Sequence, residues 1–433
     1  MPSSPNAAMN YEQTCDYMYR MAPAFERVGG SAYKEGLGNT LALDARYGSP
    51  HRRFRSIHVA GTNGKGSCSH TIAAILQAEG YRVGLYTSPH LVDFRERIRV
   101  DGECIDKEYV VNFIARDRRY FETLRPSFFE LITAMAFGYF AEQHVDIAVV
   151  EVGLGGRLDC TNIISPALSV ITNIALDHTR FLGNTLPQIA AEKAGIIKEG
   201  TPVVVGEATE ATRRVFDRRA RELSAPLYYA EDETAKALLS RAVQDADFQL
   251  KGSYQQKNKQ TILTATALLR RQMSITDESI IAGLAHVCDL TGLMGRWQRL
   301  ADKPLTICDT GHNVAAWQWL APQIAAQTCR TRRIVFGMVD DKDVDGVLAL
   351  MPRDAVFYFT QAQNKRAINA ETVAQRAAAA GLKGGSYSSV PLAYEAARAA
   401  ASDDDFLFVG GSSYVVADLL TYLKQDNPAD APR

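Results

Sequence analysis

Residues 61–67, Gly-Thr-Asn-Gly-Lys-Gly-Ser, follow the apolar run 57–60 and precede a helical pattern. A glycine-rich turn closed by a lysine and a hydroxyl is chemistry for a triphosphate. Backbone N–H groups freed by glycine geometry circle the phosphate oxygens, the Lys65 ammonium reaches the β- and γ-phosphates, and the next helix presents its positive end. The match to the general nucleotide loop is imperfect. That pattern wants a glycine at Val59 and a hydroxyl at Gly66, so on these residues alone an ordinary glycine turn stays open.

Four further clusters carry reactive side chains. They are Thr87-Ser88-Pro89-His90, Glu151 with the loop 153–159, the stretch from Asn173 to His178, and the pair Glu192-Lys193. Glu151 ends an apolar strand pattern, and a strand-end carboxylate with a nearby hydroxyl is how Mg²⁺ is held beside a phosphate. Three glycines in 153–159 suggest backbone lying close to a ligand. Taken singly, His178 reads as an ordinary histidine and Lys193 as a solvated helix charge.

The elements that must position these groups alternate. Strands are expected at 57–60, 82–86, 147–152, 167–174 and 202–205, with helices at 67–79, 126–143 and 186–196. The strands are apolar and β-branched, as doubly covered parallel strands are. The start, 11–47, reads as two short helices or a helix plus loop, broken at Gly29-Gly30. Residues 207–222 read as a charged, solvated helix with Val215 and Leu223 as its sparse apolar side, and the stretch to 250 carries little pattern. Helices at 257–273 and 278–285 lead to Gly292 and Gly295, where the domain boundary is placed. A second series follows, with strands at 305–309, 333–336, 355–359 and 406–409 and helices at 315–327, 370–380, 392–401 and 414–423. The polar tail 425–433 is expected to fray. In such sheets ligands sit past the C-terminal strand ends, where the clusters lie.

Bulk properties narrow the class. A chain of 433 residues implies two or three domains. A formal charge of −1 argues against a protein built to neutralise a nucleic-acid backbone. The seven cysteines form no CxxC pair, which favours free thiols in a reducing compartment. No apolar run is long enough to span a membrane and no secretory leader is recognised, so a cytoplasmic protein with no membrane partner is expected.

The strings HVAGTNGKGS (58–67), YTSPH (86–90), EVGLGGRLDCTN (151–162), ITNIALDHTRFLG (171–183), AAEKAGIIK (190–198) and DTGHN (309–313) together resemble the bifunctional dihydrofolate synthase/folylpolyglutamate synthase family. That family belongs to the wider Mur-ligase-like group of ATP-dependent amide ligases. The resemblance runs from about residue 37 to 414, and it accounts for the unusual loop, which in this group reads GTNGKGS. It implies an α/β fold of two domains. Residues 1–295 would be a P-loop-type ATP-binding domain, a mostly parallel sheet with helices on both faces and an N-terminal helical segment. Residues 296–433 would be a smaller Rossmann-like glutamate ligase domain.

Residue by residue, the resemblance implies that Gly61, Thr62, Asn63, Gly64, Lys65, Gly66 and Ser67 bind ATP, with Arg296 and Asp309 from the second domain. Ser88 and Glu151 would hold one Mg²⁺ and His178 would serve a second. Lys193 would be carbamylated, which requires a neutral amine and so a pKa well below about 10.4. Lys65, Lys193, His178, Asp309 and His312 are the implied catalytic set, and Arg157, Asp159, His312 and Ser412 the implied substrate contacts. The junction reads Met294-Gly295-Arg296 where the family often has Pro-Gly-Arg, and 309–313 reads DTGHN rather than DGAHN; arginine, aspartate and histidine persist. GMVDDKD (337–343) and GGSSYVV (410–416) also resemble family segments. The implied reaction joins L-glutamate to dihydropteroate or to reduced folates through an acyl phosphate, in a monomer. The competing readings are a monofunctional folylpolyglutamate synthase, a cell-wall precursor ligase with a UDP-linked substrate, a nucleotide-dependent switch or kinase, and an inactive ATP-binding module.

Overall fold

The structure is a computed structural model that describes residues 9–22, 36–232 and 239–426. The expected break at Gly29-Gly30 and the tail beyond residue 426 lie outside the described residues. The chain opens with helices Tyr11–Met21 and Gly38–Arg46. It then builds two sheets.

The first sheet contains β1 (Arg55–Ala60), β2 (Val83–Tyr86), β3 (Ile98–Val100), β4 (Glu103–Cys104), β5 (Ile147–Glu151), β6 (Leu168–Ile171), β7 (Val203–Val205) and β8 (Leu227–Tyr229). Their spatial order is β4-β3-β2-β5-β1-β6-β7-β8. All pairs are parallel except the hairpin β2/β3/β4. β1 lies between β5 and β6, and its chain leaves toward β2 while β6 leads on to β7. The sheet therefore opens a crevice past the end of β1, which is where a ligand fits. The second sheet contains β9 (Gln298–Asp302), β10 (Leu305–Asp309), β11 (Arg332–Phe336), β12 (Ala355–Thr360), β13 (Lys383–Tyr387) and β14 (Phe406–Gly410), in the order β13-β12-β11-β14-β10-β9. Only β9 runs antiparallel to its neighbour.

Apolar side chains leave both faces of each sheet, so helices cover both. In the first domain one core joins Ile57, Val59 and Val149 to Ile72 and Ile75 of helix Lys65–Ala78 and Ile262 of helix Gln255–Leu269. The opposite face packs Ala148 and Val150 on Phe137 and Phe140 of helix Phe128–Glu142. In the second, Trp317, Phe336, Phe357 and Phe408 form one core, and Val335, Leu407 and Leu419 the other.

Several boundaries differ from expectation for physical reasons. The helix after the glycine loop starts at Lys65 rather than 67, because Gly64 in the left-handed region (φ 83°) turns the chain directly into it. The helix Glu210–Glu222 is docked rather than merely solvated, since Thr212, Phe216 and Ala220 are buried. The helix Lys107–Leu124 and the edge strands β9 and β13 carry no strong apolar signal; β13 reads Lys-Gly-Gly-Ser-Tyr and is largely exposed. Among the described residues, no helix is long and apolar enough to cross a membrane.

Candidate active site

The loop that leaves β1 is held from three directions. A Cβ at Gly61 would stand 1.8 Å from Thr172 Oγ1, and one at Gly64 2.3 Å from Asn258 Oδ1, so both positions require glycine. The Thr62 N–H donates to the Asn173 carbonyl at 3.0 Å and the Asn63 N–H to Asn173 Oδ1 at 2.9 Å. Gln255 Nε2 donates to Ser67 Oγ at 3.0 Å. Lys65 Nζ donates to the Gly61 and Thr62 carbonyls at 3.1 and 3.2 Å, which lays the ammonium across its own loop. The loop faces a cleft of about 1230 Å³ whose far wall comes from the second domain, including Arg296, Asp309, His312 and Lys342.

Glu151 ends β5 beside Val59 of β1 and is 3 % exposed. The Ser88 N–H donates to its Oε2 at 3.2 Å. Burial pushes its carboxyl up, with Lys65 and the Ser88 N–H pulling the other way. His178, with φ 49°, caps the short helix Thr179–Leu182. Burial first, then the Lys342 ammonium, lowers its pKa to about 4, so its imidazole is neutral at pH 7, the form in which a histidine binds a metal. The Glu151 carboxylate and Ser88 hydroxyl, and separately the neutral His178 imidazole, line one cleft and are the donor types that suit divalent cations with phosphate co-ligands. Among the described residues no group of three His, Cys, Asp or Glu is placed to hold a metal by itself.

Lys193 ends helix Leu186–Lys193 and is 4 % exposed, the opposite of a solvated helix charge. Burial, with Lys65 adding repulsion, lowers its pKa to about 7. It lines a second cavity of about 260 Å³ that adjoins the cleft and is walled by Phe128, Phe129, Leu154 and Asp159 from the first domain and by Ser412 and Tyr414 from the second. Asp159 is buried and accepts from Leu154 N, Thr161 N and Thr161 Oγ1 at 2.9, 3.0 and 2.5 Å. Ser412 Oγ accepts from Val415 N at 3.2 Å. Arg157 is the predicted residue that stands apart. Its side chain lines neither cavity and pairs with Glu192 at 3.0 Å on the surface. The glycines of this loop also serve packing. A Cβ at Gly153 would meet the Phe129 ring at 2.5 Å and one at Gly156 the Glu192 carbonyl at 2.8 Å.

The second domain delivers Asp309 and His312 from the end of β10 and Arg296 from the segment just before β9. Asp309 accepts from Tyr254 Oη, Trp297 N and Gly311 N at 2.7, 2.7 and 2.8 Å. Arg296 donates to Thr310 Oγ1 and to the Gly295 carbonyl, and a Cβ on Gly66 would lie 3.4 Å from its Nη2. His312 Nδ1 lies 3.1 Å from the Thr310 carbonyl. Tyr254 was not singled out in the sequence, yet it joins first-domain helix Gln255–Leu269 to the buried Asp309. Tyr254→Phe leaves that carboxylate one charge-assisted hydrogen bond short, worth about 2 kcal/mol. We expect a lower melting temperature and a raised KM for ATP; an unchanged pair of values would show that this bond carries nothing.

Asp177 and Lys342 were also missed. Asp177 Oδ1 pairs with Lys342 Nζ at 2.5 Å, and its Oδ2 accepts from Asn313 Nδ2 at 3.2 Å and lies 3.7 Å from His312 Nε2. Burial opposes charge on Asp177, but the nearby His312 side chain and the Lys342 ammonium outweigh it and hold the carboxyl well below the usual range. The signal was in the sequence, since Asp177 precedes His178 and Lys342 lies in GMVDDKD. Their meeting across the two domains was not. Lys342→Ala strands a buried carboxylate, at about 3 kcal/mol against the closed arrangement. Small-angle scattering should report a larger radius of gyration; an unchanged radius would show that other contacts hold the domains together.

Comparison with known proteins agrees with this geometry. Residues 59–271 match the Mur ligase middle domain and residues 295–413 the Mur ligase glutamate ligase domain, so the fold and cleft are those of an ATP-dependent Mur-type ligase. The dihydrofolate synthase/folylpolyglutamate synthase of Escherichia coli strain K12 is 34 % identical over 371 residues, which cover 84 % of this chain and 85 % of that one. E. coli FolC in complex with DHPP and ADP superposes with a TM-score of 0.82 at 29 % identity, covering 98 % of this chain and all (100 %) of that one. A bifunctional folylpolyglutamate synthase/dihydrofolate synthase with Mn, AMPPNP and L-glutamate bound superposes with a TM-score of 0.81 at 29 % identity, over 97 % of this chain and 100 % of the other. The chain belongs to the dihydrofolate synthase/folylpolyglutamate synthase family.

Proposed function

We propose that this enzyme joins the α-amine of L-glutamate to a pterin-linked carboxylate, using ATP, and that it accepts both dihydropteroate and reduced folates. The observation that carries the reading is the convergence of Lys65, Glu151, His178 and Asp309 on one cleft, with an aromatic-walled cavity opening beside it. Relatives bearing both activities in their names, and a related structure that holds DHPP with ADP, support the same substrates here. Residues 1–295 and 296–433 are the proposed domains, and the functional unit is a monomer acting without nucleic acid or membrane.

A carboxylate is a poor acylating agent and must first be phosphorylated. In the proposed mechanism the loop 61–67 cradles the triphosphate with backbone N–H groups, and Lys65 offsets charge on the phosphoryl group as it transfers. Ser88 and Glu151 would hold one Mg²⁺ and His178 a second, and bound Mg²⁺ supplies charge neutralisation of the phosphate oxygens. Lys193, with a pKa near 7, has a large neutral fraction at physiological pH, which suits carbamylation, and the carbamate would help hold the second ion. Phe128, Phe129 and Asp159 offer an aromatic wall and a polar edge to a pterin ring. Arg296, Asp309, His312 and Ser412 bring the nucleotide and glutamate contacts, and closure through Asp177 and Lys342 excludes the water that would hydrolyse an acyl phosphate. Arg157 is proposed for substrate only at the rim, given its surface position.

The test is phosphate release by purified protein with ATP, Mg²⁺ and L-glutamate, comparing dihydropteroate, tetrahydrofolate and a UDP-linked muramyl precursor. Glutamate-dependent release with both pterins supports the proposal. Release with tetrahydrofolate alone reduces it to a polyglutamate synthase, and release only with the UDP compound rejects it.

A further inference from the structure

A third hollow, about 90 Å³, runs between the 88–96 loop and the linker 292–296. Its inner end is shared with the nucleotide cleft, because Gly66, Ser88, Glu151 and Arg296 line both. Its outer end is formed by the half-buried Leu91, Glu96 and Met294. It adjoins the active site. It is too small for a nucleotide or a pterin and large enough for one oxyanion.

The lining suits an anion. Arg99, on β3, is 8 % exposed; its Nη1 donates to the Gly102 carbonyl at 2.9 Å while its Nε has no hydrogen-bond partner. Arg99 lines the hollow with its guanidinium charge, and a buried guanidinium favours a neighbouring oxyanion over a neutral occupant. The linker is shaped around this group, since Gly292 (φ 65°) would place a Cβ 2.8 Å from Arg99 Nη1. Arg296 supplies a second guanidinium at the inner end. His70 lines the same hollow, buried and held well below its ordinary pKa by burial, Arg99 and Arg296, so it is neutral while both guanidiniums act on it. Of the two carboxylates present, Glu96 is occupied by the N–H groups of Leu91, Val92 and Asp93 at 2.8, 2.9 and 2.8 Å. Glu151 accepts from Ser88 N.

We infer that this hollow receives the orthophosphate displaced when the amine attacks the acyl phosphate, holds it between Arg296 and Arg99, and lets it leave between Leu91 and Met294 while ADP still fills the cleft. The inference rests on the proposed ligase reaction. Its ligand class, a small tetrahedral oxyanion, does not depend on which pterin is used.

The test is calorimetric binding of inorganic phosphate to the protein loaded with Mg²⁺ and ADP. Wild type should bind phosphate without displacing ADP, Arg99→Gln should weaken phosphate about tenfold with ADP affinity unchanged, and Arg99→Lys should recover part of the loss. Equal phosphate affinity in Arg99→Gln, or phosphate that competes with ADP, would overturn the exit site. Should the variant fold poorly, wild-type crystals with ADP soaked in selenate decide the matter. An anomalous peak beside Arg99 supports the site and its absence rejects it. Glutamate-dependent phosphate release by wild type separates the two ideas: its absence sinks the ligase reading, whereas release with unaltered binding in Arg99→Gln sinks the exit site alone.

Discussion

Under the proposed mechanism, Lys65→Ala should lower turnover by about a thousandfold or more, since it removes the cation that would offset charge on the transferring phosphoryl group. The lysine is pinned to its own loop through the Gly61 and Thr62 carbonyls, so its loss leaves the loop's anchors at Asn173 and Gln255 intact. Folding should therefore survive, and the melting temperature of the variant is the control. Steady-state turnover with ATP, glutamate and dihydropteroate gives the readout. A loss smaller than about tenfold, or about 1.4 kcal/mol, would mean that this ammonium does not touch the transferred phosphate.

Lys193→Met is expected to cut activity at least about a hundredfold and, unlike most active-site changes, to stabilise the protein. The folded-state pKa is lowered to about 7, against 10.5 for the free group. Between those values the unfolded chain binds more protons, so stability rises with pH across this window. The burden of the buried amine is absent above pH 10.5 and complete below about pH 7. At about 1.4 kcal/mol per pKa unit, it is on the order of a few kcal/mol. In metal-free protein purged of CO₂, the Lys193→Met substitution should raise the melting temperature most near pH 7 and hardly at all near pH 10. A gain that ignores pH, or no gain, would show that the amine is not strained by burial. Carbamylation has its own signature, a mass increment of one CO₂ on the peptide carrying Lys193 in bicarbonate buffer.

Much of the first domain was legible because a parallel strand covered on both faces must be apolar throughout. That is how β1, β5, β6 and β7 announce themselves, and how Glu151 stands out at the end of one. The glycine-rich turn 61–67 was legible in part because Gly64 answers a local demand, a left-handed turn, whereas the close approach of Gly61 to Thr172 comes from the tertiary fold. Edge elements were less readable. β13 and β9 face solvent on much of their surface and need no apolar pattern, and helix Lys107–Leu124 hides a short buried face behind many charges.

The sequence by itself determined the two α/β series, the glycine-rich turn after β1 and the identity of the charged groups past the strand ends, because those follow from local pattern and backbone geometry. Tertiary structure alone decided which of those groups meet. Asp177 and Lys342 are 165 positions apart and Tyr254 and Asp309 55, and nothing local relates them. It also decided that Lys193 is buried and Arg157 is not, although both sit in charged, helix-or-loop contexts that read alike. Burial depends on what the rest of the chain packs against a residue, and the pKa of a buried amine follows from that packing.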